Sequence, residues 1–505
     1  MSALATSVDV AVIGAGTMGR GIAQVAAAAG HTVFLFDSAA DAVTKARQAM
    51  AKDLRFLVEK GKLADDECQA VLGRVRPAGK LEDLKTVGLV IEAVVENLDV
   101  KRDLFRRLEA LLGPDAILAT NTSSISITAV AAGLARPERV AGLHFFNPAP
   151  RMALVEVVSG LATDPALADC LVDTARAWGK VPVRAQSTPG FIVNRVARPY
   201  YAEPLRVLGE GAATPETLDA ILREGCRFPM GPFELMDFIG HDVNFAVTCS
   251  VFEATFGDRR FQPSLIQQEL VLAGRLGRKS GRGFYDYASG AARPAPVSLP
   301  AHGVPAKASI LGELGPMAAL AERLGGEGVR LDRANGSGVL FAGTATLALT
   351  DGRTASQRAA DEGTPDLVLI DLAFDYAGVT RLGVAKADQC SQAAYAEAVG
   401  LLQVCGIEVS PIDDVAGMLA MRTVCMLANE AADAVTQGIA SREDIDAAMR
   451  HGTNYPLGPL DWAARLGFRR VVAVLDNLRS HYGEERYRVS PWLRRQLAKG
   501  ILNHV

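Results

Sequence analysis

The 505-residue sequence contains no C-x-x-C pair, and its seven cysteines (68, 170, 226, 249, 390, 405 and 425) are scattered and odd in number. That spacing suits neither a disulfide scaffold nor a zinc module, so no metal is expected and a cytoplasmic, reducing setting is. No uninterrupted apolar run approaches the ~18–20 residues a membrane span needs. The opening MSALATSVDV lacks the basic-then-apolar layout of a secretion signal. Basic residues are not in excess: 53 Lys and Arg stand against 57 Asp and Glu, a formal charge of −4, which argues against nucleic acid as a partner. What is present is a chain 49% hydrophobic and 22% charged, too apolar for disorder and long enough for several cores.

Residues 1–186 alternate short apolar runs with helical stretches. Strands are expected at 8–13, 32–36, 89–95, 116–120, 140–145, 154–158 and 181–184, with helices at 18–29, 39–60 and 100–112. β-branched, nearly continuous apolar strands suit a sheet covered on both faces, and the alternation predicts a Rossmann-type, doubly wound and mostly parallel α/β sheet. From 187 to 287 the periodicity turns helical, punctuated by Gly and Pro, so an all-helical second domain is expected. Residues 288–308, rich in Ala, Pro, Gly and Ser, read as a linker.

Beyond the linker the pattern restarts. An ungapped shift of 227 places Gly190, Arg195, Glu203, Asp219, Gly225 and Pro229 on Gly417, Arg422, Glu430, Asp446, Gly452 and Pro456. At least ten positions coincide between 190 and 240. Residues 406–505 therefore read as a second copy of the helical domain, preceded at 309–405 by a degenerate sheet segment.

Two constellations carry chemistry. Gly14-Ala-Gly16-Thr17-Met18-Gly19 follows a strand and opens a helix. Gly14 permits the tight turn, Gly16 lets a pyrophosphate approach the backbone, and Gly19 lets the helix pack on the sheet. Asp37 closes the second strand, where an acid hydrogen-bonds an adenosine ribose and repels a 2′-phosphate, so NAD is favoured over NADP. Of the histidines at 31, 144, 241, 302, 451, 481 and 504, His144 ends a strand, and a Pro-containing turn leads to a second strand bearing Glu156. Paired, the carboxylate would fix the imidazole tautomer and favour its protonated form, as a general base for alcohol oxidation needs. A core histidine satisfied by a backbone carbonyl is the alternative. Asn121-Thr-Ser123-Ser124, after the strand 116–120, offers polar groups to the same crevice or simply caps the next helix through Ser124 or Ser126.

Together, Gly14–Gly19, Asp37, Glu92-Ala-Val-Val-Glu96-Asn97, Asn121–Ser124, His144-Phe-Phe-Asn147-Pro148, Pro189-Gly-Phe-Ile-Val-Asn194-Arg195 and Met230-Gly-Pro-Phe-Glu234 resemble the L-3-hydroxyacyl-CoA dehydrogenase family across residues 8–287. The resemblance implies that His144 takes the 3-hydroxyl proton while hydride passes to NAD, with Glu156 as its partner. It also implies that Ser123 and Asn194 bind the reacting oxygen or hold the pair, that Glu96, Lys101, Asn121 and Asn147 lie near the cofactor, and that Lys60 grips the coenzyme A of an acyl-CoA substrate.

The second half departs from that pattern. Aligning Gly312 with Gly14 puts Leu314 and Met317 at the places of Gly16 and Gly19, no histidine occurs from 309 to 408, and Met421 takes the place of Asn194. Residues 309–505 are therefore expected to be catalytically silent and to pack, either as an intramolecular pseudo-dimer or within a homodimer. Within the family, such a duplicated second half implies 3-hydroxyadipyl-CoA as substrate, in phenylacetate catabolism. A 3-hydroxybutyryl-CoA or medium-chain enzyme of fatty-acid oxidation is the runner-up, and a non-catalytic, crystallin-like binding protein a third reading. A dicarboxylic acyl chain calls for a cation at its far end, with Arg151, Arg195 and Arg198 as candidates.

Overall fold

The computed structural model describes residues 2–39 and 41–502; Ala40, inside one expected helix, and His504 lie outside them. The chain forms two compact units. One comprises the residues up to Arg195 together with Gln437–Thr453, the other Val196–Thr436 together with the chain from Asn454 onward.

The first unit is built on eight strands: β1 (Val10–Ile13), β2 (Val33–Phe36), β3 (Val75–Pro77), β4 (Leu89–Glu92), β5 (Ile117–Thr120), β6 (Val140–Phe145), β7 (Leu154–Ser159) and β8 (Val181–Gln186). Their order is β3-β2-β1-β4-β5-β6-β7-β8. All neighbours pair in parallel except β6 and β7. Every residue of β1, β4, β5 and β6 is buried, as continuous apolar runs under helices on both faces require. Not expected from the sequence were β3, three residues ending in a proline, and the helices Asp65–Arg74 and Pro165–Ala177. β1 lies between β2 and β4, so the chain's direction of winding reverses there and a crevice opens at the carboxyl ends.

The helix Arg442–Thr453, from the far end of the sequence, also belongs to this unit and packs on β7 and β8. It comes so close that a Cβ on Gly452 would press on Leu154 and Val193 side chains. Gln186 donates its N–H to the Ile439 carbonyl at 2.8 Å just before it.

The second unit holds the sheet β10-β9-β11-β12-β13-β14-β15. Its strands are β9 (Ala308–Leu311), β10 (Leu331–Ala334), β11 (Val339–Ala342), β12 (Ala345–Leu349), β13 (Leu367–Ile370), β14 (Arg381–Lys386) and β15 (Glu408–Pro411). β11 runs antiparallel to both neighbours, as an inserted hairpin strand. The expectation of helix from about residue 406 is corrected: β15 comes first, and the long buried helix begins at Ala420. The segment read as a linker is extended but bonded to this sheet, with the Leu299 N–H on the Val409 carbonyl at 2.8 Å.

The two sheets repeat each other at the offset already found among the helices. Leu154 and Arg381, 227 apart, open β7 and β14, which run antiparallel to β6 and β13, and the helical glycines Gly452 and Gly225, also 227 apart, abut these two residues. The Arg381 guanidinium reaches Glu224, beside Gly225, at 2.8 Å. The same offset sets Asp371 at the position of His144 and Gly383 at that of Glu156. Asp371, wholly buried, accepts the N–H groups of Leu419 and Ala420 at 3.1 and 2.7 Å, the counterparts of Ile192 and Val193. Burial lifts its carboxyl to about 6 against the pull of these backbone donors.

Candidate active site

Gly14 closes β1 with φ +104°, a conformation that a side chain would strain, and a Cβ there would also meet the Ala93 carbonyl. A Cβ on Gly19 would collide with the Gly14 carbonyl, so the helix Thr17–Ala28 packs against the turn only because that position is bare. Gly16, at the helix N-cap, instead faces open space within 4 Å, and no side chain caps the helix. The first-turn N–H groups, those of Thr17 and Met18 among them, are thus left free of any side-chain cap, beside a bare backbone suited to a diphosphate. Asp37 follows β2 and accepts the Ala15 N–H on one oxygen at 2.7 Å and the Ala39 N–H on the other at 2.9 Å. Each carboxylate oxygen keeps a lone pair for a ribose hydroxyl. This donor and acceptor set fits a dinucleotide.

At the next strand end, buried Glu92 accepts the Lys101 ammonium at 2.6 Å, the Val94 N–H at 2.7 Å and the Thr120 hydroxyl at 2.6 Å. Lys101, 1% exposed, also lies 3.3 Å from Glu96. Its charge is thus enclosed between two carboxylates, where it holds Glu96 in place. Glu96 in turn gathers the loop after β5, accepting the Thr122 hydroxyl at 2.5 Å, the Ser123 and Ser124 N–H groups at 3.1 and 3.2 Å and the Ser124 hydroxyl at 2.9 Å. Partial burial opposes its ionisation, but the Thr122 bond, the Lys101 charge and Ser124 outweigh that and hold the carboxyl below its ordinary value. Asn97 caps the helix Leu98–Leu111, and Ser126, not Ser124, caps the short helix Ile127–Ala131. Asn121 accepts the Phe145 N–H at 2.8 Å, tying this loop to β6.

β6 and β7 place His144 directly opposite Glu156, on one face of the sheet. Their side chains meet at 2.6 Å, Nδ1 to Oε2, in a nearly solvent-free setting. A carboxylate only accepts, so Nδ1 carries the hydrogen and Nε2 is left as the basic nitrogen. The second oxygen of Glu156 accepts the Ile192 and Val193 N–H groups, both at 3.0 Å, which docks the start of the helix bearing Asn194 onto the dyad. Phe146 and Phe191 wall the imidazole, with ring centres at 4.5 and 5.9 Å. Asn194 donates its amide to the Ser123 carbonyl at 3.5 Å, so Ser123, Asn194, His144 and Glu156 form one group. Asn147 lies exposed on the turn just beyond His144. Lys60 stands apart from these contacts, exposed at the end of the helix Ala42–Glu59, with its ammonium 5.5 Å from the centre of the Phe56 ring.

The sequence suggested no task for Glu92, and none for Thr120, Thr122, Phe146 or Phe191. The acids and hydroxyls on strand ends were the available signal, since buried polar groups at a crevice need partners.

Comparison with known proteins agrees with this geometry. Residues 9–188 match the NAD binding domain of 3-hydroxyacyl-CoA dehydrogenase, and residues 190–287 and 417–504 each match its C-terminal domain. The chain belongs to the 3-hydroxyacyl-CoA dehydrogenase family. It is an NAD-dependent oxidoreductase of that family, and the two C-terminal matches start 227 residues apart, the offset seen in the sequence. Residues 347–415 match the reduced Rossmann-fold domain of 3-hydroxybutyryl-CoA dehydrogenase. The chain is 49% identical over 487 residues to the 3-hydroxyadipyl-CoA dehydrogenase of Escherichia coli K12, covering 96% of this chain and 97% of that one. A probable 3-hydroxybutyryl-CoA dehydrogenase of Deinococcus radiodurans is 44% identical, spanning 55% of this chain and 99% of its own length. The solved structure of a 3-hydroxybutyryl-CoA dehydrogenase from Escherichia coli K12 superposes with a TM-score of 0.89 at 48% identity, over 97% of this chain and 98% of that chain. Among the described residues, no helix is long and apolar enough to cross a membrane, and no group of His, Cys, Asp and Glu is arranged to hold a metal ion.

Proposed function

We propose that this dehydrogenase oxidises (3S)-3-hydroxyadipyl-CoA to 3-oxoadipyl-CoA, a step of phenylacetate or other aromatic catabolism, in the cytoplasm. Similarity along the whole duplicated chain to a protein named for that substrate supports the choice. NAD, when bound, supplies the hydride acceptor. His144 takes the hydroxyl proton on Nε2, and Glu156 fixes its tautomer and steadies the imidazolium that forms. Ser123 and Asn194 position the reacting oxygen. Glu96, held by Lys101, keeps the Thr122–Ser124 loop in shape beside the cofactor. Lys60 offers a charge to the coenzyme A phosphates.

A second reading, a 3-hydroxybutyryl-CoA enzyme, has its own support, because the solved structure that superposes along the whole chain is named for that activity. NADH formation across a panel of 3-hydroxyacyl-CoA esters separates the readings. A marked preference for the six-carbon dicarboxylic ester is expected, and a preference for 3-hydroxybutyryl-CoA overturns it. Silence on every ester removes the catalytic reading.

The second half serves packing. Each unit carries a helical turn from the other repeat, Arg442–Thr453 on the first sheet and Ile221–Gly225 on the second. This reciprocal exchange is how two copies of a short chain would pair, and it favours an intramolecular pseudo-dimer.

A further inference from the structure

The charges gathered at the carboxyl ends of β4 and β5 do not cancel. Glu92 is wholly buried and meets donors only: the Lys101 ammonium and the Val94 N–H on one oxygen, the Thr120 hydroxyl on the other. The Thr120 oxygen itself accepts the Thr122 N–H at 3.2 Å, which leaves its hydrogen for Glu92. A side chain surrounded by donors alone is a carboxylate. Glu96 is likewise met by donors, its carboxyl is held below the ordinary value, and its side chain is 39% exposed, so it carries the cluster's charge to the crevice. Glu92, Lys101 and Glu96 therefore sum to one negative charge. A glutamine at 92 could accept from Lys101 and Val94 as well, and a buried carboxylate is costly to keep. The surplus charge is what glutamine would not supply.

The cluster sits between the two places that a dinucleotide must reach. On one side Ala93, next to Glu92, donates its N–H to the Ile13 carbonyl at 2.7 Å, and its own carbonyl abuts Gly14 of the turn suited to the diphosphate. On the other, Asn121 donates its N–H to the Glu92 carbonyl at 2.8 Å and accepts the N–H of Phe145, the neighbour of His144. In the strand order β4 and β5 separate β1 from β6, which stand three strand spacings, about 14 Å, apart. A cofactor with its diphosphate at Gly14–Gly19 and its hydride-accepting ring near His144 crosses the ends of these two strands.

We propose that Glu92, acting through Lys101 and Glu96, is a positioning residue that makes the crevice discriminate between the redox states of the cofactor. The net negative charge attracts the cationic nicotinamide of oxidised NAD and not the neutral ring of NADH. The inference rests on the reading of His144 as the base of the reaction. Once the ring has accepted hydride its charge is gone, and with it the attraction, so the reduced cofactor is the more readily released.

Calorimetric titration of NAD, NADH and ADP-ribose into wild type and variants tests this. Across a partly solvated crevice, one charge is worth about fivefold in affinity. Glu92→Gln should therefore bind NAD about fivefold more weakly while NADH and ADP-ribose, which lack the charged ring, stay within about twofold of wild type. Glu92→Asp keeps the charge and should keep the wild-type ratio of the NADH and NAD dissociation constants, even where its shorter side chain weakens both. Equal losses for all three ligands in Glu92→Gln would make Glu92 a structural pin and overturn the proposal. So would an unchanged ratio, or a ratio shifted as far by Glu92→Asp. Glu96→Gln, at a partly exposed position that does not endanger folding, should shift the ratio the same way; if Glu92→Gln does not fold, an unshifted ratio in Glu96→Gln overturns the proposal. These are binding measurements, so wild-type turnover in His144→Gln would remove the reading of His144 and leave the ratios to decide whether the cluster selects the oxidised cofactor.

Discussion

Glu156 does two things at once, and they are separable. One oxygen faces the His144 imidazole; the other takes two backbone N–H groups at the start of the helix carrying Asn194. Glutamine in its place still offers one oxygen to those N–H groups but cannot balance an imidazolium. Glu156→Gln is therefore expected to lower kcat by about 10²–10⁴-fold while its melting temperature stays close to wild type. Alanine leaves both buried N–H groups without an acceptor and is expected to lose a further ~2–4 kcal/mol of stability, read by denaturant unfolding. Equal stability losses for the two variants would show that the second oxygen has no structural task. Position 371 of the second half shows the converse. There Asp371 stands where His144 does in the first half, Gly383 where Glu156 does, and the Asp371 carboxylate makes the helix-docking bonds, to the N–H groups of Leu419, Ala420 and Met421, beside one to its neighbour Leu372. The structural task survived, and the acid–base task did not.

Elements differed in how plainly their residues announced them. The parallel strands are unbroken apolar runs, and their positions agree with expectation to within a few residues. The glycine turn was legible because each of its three glycines answers a separate geometric demand. The His144–Glu156 contact was only one of two open readings until the antiparallel register of β6 and β7 set the two residues face to face. Asn194 came from family resemblance alone, and so did its grouping with Ser123, because nothing in local spacing joins residues 71 apart. The Glu92–Lys101–Glu96 cluster was not legible as a cluster, since the resemblance gave Glu96 and Lys101 only a place near the cofactor and no spacing joined them to Glu92. β3, β11 and β15 are three or four residues long, too short for periodicity to show. The offset of 227 did hold the missing signal. It is plain among the Gly- and Pro-rich helices but faint over residues 140–186, where few identities remain and only the strand pattern repeats.

At the scale of the whole molecule, the proposed reading is that duplication left one chemical centre and two structural frames. Neither half closes without a helical turn from the other repeat, so the chain should already contain the pairing that shorter relatives would need a second copy to make. Light scattering is expected to find a single species near the chain mass of 53.4 kDa; a species of twice that mass would show that the duplicated chain pairs again. Because residues 309–408 contain no histidine, no reserve activity is expected from the second sheet. The sharpest test is the steady-state turnover of His144→Gln alongside its affinity for NAD. Turnover should fall by about 10²–10⁴-fold with NAD affinity nearly intact, whereas turnover equal to that of the wild-type enzyme would contradict the assignment of the chemistry to this single imidazole.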